Sequence, residues 1–144
     1  MLSAASALVC ALAILNRSAA SMPPIEILET APPYVSVGAE AFVRQDTGRI
    51  YVIASSVVVR DATGSRGRCG DLQAVKKLAS ILVHEEWHLK HPGDERGAYY
   101  RQLIALQELG LTPGTRVYRD VQLSMLRVLE LRKHNKPDFV LAER

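Results

Sequence analysis

The spacing of apolar positions divides the chain into an uncharged run, a short β-patterned stretch and three helical stretches. The run comes first: "LSAASALVCALAILN" (residues 2–16) carries no charge and is followed by "RSAAS". About a dozen apolar residues, then small residues at Ser18 and Ala20, predict an export signal spanning residues 1–20 and cleaved after Ala20, though its start lacks Lys and Arg. A buried N-terminal helix is the alternative. The run is too short to span a membrane comfortably. Residues 21–38 begin with "SMPPIEILETAPP", whose four prolines predict an extended lead-in with "IEIL" as a short edge strand.

β-Patterned segments follow. "AEAFVRQ" (39–45) and "RIYVIASSVVVRD" (49–61) flank the turn "DTG" (46–48), which predicts an antiparallel hairpin with a break at Ser55–Ser56. Residues 62–70 read as a loop. Asp71 is placed to cap a helix reaching His91, and Leu78 to Val83 is apolar almost all round, as in a buried helix. Pro92 and Gly93 end it. Asp94 caps a second helix (95–109) with Tyr99, Leu103, Leu106 and Leu109 on its apolar side, and Gly110 closes it. A third, from about 115 to 134, has Val117, Val121, Met125 and Val128 in register, and Asn135 and Pro137 stop it. The expected fold is α+β: a small antiparallel sheet followed by three helices, in one domain over 39–135 with a tail at 136–144.

Composition adds little to this picture. The 144 residues are 48% apolar and 23% charged, ordinary for one globular domain. A net charge of +3, with scattered basic residues, gives no nucleic-acid footprint. The densest basic patch, Arg60, Arg66 and Arg68, reads as a solvated loop. Loss of residues 1–20 would remove Arg17 and Cys10. Cys69 would then be the sole cysteine, and the core or a metal would have to hold the fold without a disulfide.

The chemistry concentrates in "HEEWHLKHPGDERGAY" (84–99). His84 and His88, four apart on a helix, stand one above the other, so both imidazoles can reach one zinc ion. Glu85 lies beside the first ligand, where it can take a proton from a metal-held water. A shuffled chain of this composition would show His-Glu-x-x-His about 0.007 times. The bland reading is a polar helix end whose histidines favour the C-terminal dipole.

Strands, then a buried helix bearing "HEEWH", then a second helix opening with an acid, resemble the zincin metallopeptidases over residues 40–110. The resemblance implies a Zn2+-dependent peptide hydrolase with Glu85 as catalytic base and three protein ligands. In the gluzincin branch the third ligand is a glutamate on the next helix, which "ERGAY" matches at Glu95 and Ala98, with Tyr99 where an aspartate often sits. Asp94, at metzincin spacing, and His91 are the alternatives. The resemblance also implies that Tyr99 or Tyr100 donates to an oxyanion, and that "IYVIAS" is the sheet edge along which a peptide lies. Core packing is the plainer role for both tyrosines. Trp87 is expected to pack beneath the site, Asp120 to be an exposed helix acid or a partner of a ligand histidine, and His134 to sit at a helix C-terminus. Two readings from other classes remain: an exported module with a four-ligand structural metal site, and a metal-free helical interaction domain.

Overall fold

The computed structural model describes residues 3–64, 69 and 71–134. The molecule is α+β. Among the described residues are a three-stranded mixed sheet and five α-helices. The strands are β1 (Ile25–Leu28), β2 (Ala41–Arg44) and β3 (Arg49–Ile53). The helices are α1 (Ala4–Ile14), α2 (Val57–Gly64), α3 (Leu72–Lys90), α4 (Glu95–Glu108) and α5 (Arg116–His134).

The predicted hairpin forms: β2 and β3 pair antiparallel, with Ala41 opposite Val52 and Arg44 opposite Arg49. The sheet is mixed rather than purely antiparallel, because β1 adds to the other side of β3 in parallel, with Ile25 opposite Ile50. This order, β1-β3-β2, corrects one expectation. "IYVIAS" does not supply the sheet edge, because β3 is bonded on both sides. Residues 50–53 are accordingly buried on both faces.

A second correction concerns Val57 to Asp61, whose β-branched residues were expected to continue the strand. They open α2 instead. Val58, Val59 and Ala62 are buried at helical spacing, whereas Val57 is 67% exposed. Packing overrides the propensity of three consecutive valines. The carboxylate of Glu40 helps by accepting a hydrogen bond from the Val58 amide at the helix start.

α1 is the third departure from a sheet followed by three helices. It joins the main core: Ala7, Leu8, Cys10 and Ala11 are buried with Ile50, Val52, Val59, Val75, Leu78 and Leu82. Cys10 is disulfide-bonded to Cys69, between α2 and α3. Arg17 follows α1 and forks onto Glu86 of α3, with Nη1–Oε1 3.1 Å and Nη2–Oε2 2.8 Å. For residues 4–14 this is the buried-helix alternative. Cleavage after Ala20 would remove both ties. No described helix is long and apolar enough to cross a membrane.

The other helices lie within a residue or two of their expected bounds. The Asp71 side chain accepts from the Gln73 and Ala74 amides, and that of Asp94 from the Gly97 amide. Gly110 takes φ +88°, and the bond from the Leu111 amide to the Leu106 carbonyl closes α4. α4 and α5 share a second core of Tyr99, Leu103, Leu106, Leu111, Tyr118, Val121 and Val128. Arg66, Arg68 and the tail 136–144 lie outside the described residues, as does the side chain of His134.

Candidate metal centre

α3 passes through the main core, which buries His84, Glu85 and His88 along with its apolar residues. The reversal after it sets the third group. Pro92 has no N–H to offer the His88 carbonyl, so the helix ladder ends there. Gln45, just beyond β2, fills the gap: its Nε2 donates to that carbonyl at 2.8 Å. Gly93 at φ +79° turns the chain, and its carbonyl accepts from Arg132 of α5 at 2.6 Å. α4 therefore folds straight back along α3.

This places Glu95 against both histidines. Its Oε1 lies 2.9 Å from His88 Nε2 and 3.4 Å from His84 Nε2. One ligand atom from each of the three residues falls within a group no wider than 4.8 Å. His84, His88 and Glu95 are 1%, 3% and 2% exposed, and Glu85 is 0% exposed. This buried cluster can hold a metal ion. Two imidazole nitrogens and one carboxylate oxygen form a donor set that suits several divalent ions.

The alternatives for the third position are occupied elsewhere. Asp94 caps α4 and accepts from Trp87 Nε1 at 2.9 Å. That indole N–H, then the Gly97 amide, hold the Asp94 carboxyl below the usual range. His91 is exposed and stacks on the Trp87 ring, with centroids 3.8 Å apart. Arg101 covers the same ring, its guanidinium carbon 4.7 Å from the centroid. Trp87 thus does not pack beneath the cluster. It pins the α3–α4 reversal from outside.

Tyr99 is fully buried, with its ring edge-on to His84 at 4.5 Å, whereas Tyr100 is 64% exposed. Asp120 is exposed and lies 3.8 Å from Arg116 on its own helix. Two residues the sequence reading passed over lie behind the cluster. Gln102 Oε1 is 2.8 Å from His84 Nδ1, and Gln102 Nε2 is 3.2 Å from Ser80 Oγ. A signal for Gln102 was present: with Glu95, Tyr99 and Leu106 it occupies the stripe of α4 that faces inward, an unusual place for an amide.

No protein family, no curated protein and no solved structure matches this chain.

Proposed function

We propose that the chain is a small exported zinc metallopeptidase-like protein that hydrolyses peptide bonds. One observation carries the reading: His84 and His88 from one helix and Glu95 from the next converge on a single buried point, with Glu85 between the histidines in sequence. Two histidines and a glutamate are a ligand set of catalytic zinc sites, in which a fourth position stays open. Zinc bound there would supply Lewis acidity toward a carbonyl and lower the pKa of a water. Glu85 accepts the proton from the attacking water and returns it to the leaving amine. The peptide as substrate class rests on the resemblance of His84-Glu85-x-x-His88 followed by Glu95 to zincins. The Cys10–Cys69 disulfide is compatible with export to an oxidising compartment for a chain that keeps residues 1–20.

A second reading draws on the burial of all four polar residues. A site so enclosed also suits an ion that ties α3 to α4 and stabilises the fold without chemistry.

The deciding experiment uses the untagged full chain and its Glu85→Gln variant. Both are assayed for zinc by elemental mass spectrometry and for cleavage of a mixed peptide library. About one zinc per chain in both, with cleavage by the wild type alone, is the expected result. Zinc in both without cleavage, and with a melting temperature lowered by chelator, would favour the structural ion. No zinc and no response to chelator would leave a metal-free helical domain.

A further inference from the structure

Behind the cluster a chain of buried hydrogen bonds ends on His84. It begins at the Lys77 carbonyl, which can only accept. Ser80 Oγ lies 2.6 Å from it, so the serine hydroxyl proton is committed there. Ser80 can then only accept from Gln102, whose Nε2 is 3.2 Å away. The amide is thereby oriented, with its NH2 toward Ser80 and its carbonyl oxygen toward His84. That oxygen, 2.8 Å from His84 Nδ1, also only accepts. Nδ1 must carry a proton, so in the neutral ring the lone pair lies on Nε2, on the Glu95 side. Ser80 and Gln102 are both fully buried, so bulk water does not compete for these groups.

We propose that Gln102, aligned by Ser80, is a positioning residue that locks His84 in the tautomer and rotation able to ligate a metal through Nε2. The proposal rests on the metal reading above. Tyr99, edge-on to the same ring, limits its rotation from another side. The partner's chemistry also fits. A carboxylate would add a third acid to an interior that already holds Glu85 and Glu95. An amide supplies the acceptor without the charge.

The test compares wild type, Gln102→Leu, Gln102→Glu and Ser80→Ala as full chains. Co2+ and Zn2+ affinities are measured by chelator competition, and the His84 ring tautomer by 15N NMR on the metal-free protein. The expected result is a roughly 10–100-fold loss of affinity in Gln102→Leu. Ser80→Ala should lose less, and Gln102→Glu, which restores the acceptor but adds a third buried acid and loses the donor to Ser80, should recover only part of the loss. The wild-type ring should carry its proton on Nδ1. If Gln102→Leu does not fold, Ser80→Ala and the wild-type tautomer still decide. A wild type that binds metal while the folded variants bind equally well would overturn the positioning role and leave the metal reading intact. Reduced melting temperature with unchanged affinity would do the same, as would a wild-type ring protonated on Nε2. A wild type that takes up neither ion would overturn the metal reading, and the role with it.

Discussion

His88 and Glu95 lie on different helices, yet His88 Nε2 is 2.9 Å from Glu95 Oε1. A contact between an imidazole nitrogen and a carboxylate oxygen holds a proton between them. A metal ion ligated by both must displace that proton, to solvent if the imidazole is charged or to Nδ1 of the same ring if it is neutral. Protons compete with the metal for both atoms in either case, so affinity should fall as the solution is made acidic. Chelator competition across pH measures the fall, and calorimetry in buffers of different ionisation enthalpy separates the two routes. An affinity unchanged from neutral pH down to about pH 4 would mean that these two atoms are not both ligands.

Glu95 and its neighbour Asp94 make opposite predictions. Glu95→Ala should abolish tight metal binding, because it removes one of three ligands. Asp94→Ala should keep the metal and cost about 1 kcal/mol of stability, the usual worth of a helix cap. Metal titration and urea unfolding of both variants separate these outcomes. Loss of metal in Asp94→Ala alone would exchange the two assignments.

Gly97 shows why the reversal after α3 is specific in sequence. A Cβ there would meet the Asp94 carboxylate and lie 2.6 Å from Trp87 Nε1. These groups hold each other in place, so neither can move without breaking their hydrogen bond or the cap. Alanine in a helix would normally gain up to about 1 kcal/mol over glycine. Here Gly97→Ala should be destabilising, on the order of 1–3 kcal/mol as in other overpacked sites. A raised melting temperature would contradict this.

The parts of the fold that were legible in the sequence are those set by local chemistry. Asp71, Pro92, Asp94 and Gly110 mark helix ends because capping and backbone geometry act within a few residues. Val57 to Asp61 were misread because their helix depends on distant packing and on Glu40, seventeen residues before Val57. The parallel pairing of β1 with β3 is likewise non-local, since nothing in "IEIL" names its partner. In the candidate site, His84, Glu85 and His88 are legible from their spacing on one helix, whereas Glu95 was expected only from the resemblance, with Asp94 and His91 as alternatives. Gln102 and Ser80 are not legible, because their role exists only where α4 lies against α3.

The N-terminal segment offers a clear measurement. Cys10 and Cys69 close a loop with a sequence separation of 59. A loop of that length corresponds to about 4 kcal/mol in the chain-entropy model, with measured values nearer 2–4. Cys10→Ser should therefore lower stability by several kcal/mol in oxidising buffer and add no further loss once reductant is present. Intact mass of the chain from its native host fixes whether residues 1–20 remain. A chain beginning at Ser21 has no Cys10, and its core must close without α1.

Glu40 carries the pH dependence that can be signed. Burial is the main cause of its raised pKa, only partly offset by the charge and hydrogen bond of Lys77 and by the Val58 amide, while Asp61 raises it further. The folded chain thus holds this proton to a higher pH than the unfolded chain does. The associated stability is fully present below about pH 4, where both states are protonated. It declines as pH rises through the folded pKa and is then lost. Glu40→Gln has no such proton to lose. Its stability relative to wild type should therefore rise between pH 4 and pH 7, a difference in which the titration of other groups cancels. Chemical unfolding of both proteins across that range tests it. A relative stability that instead falls toward pH 7 would mean that Lys77 outweighs burial, with the ionised carboxylate favoured in the folded chain.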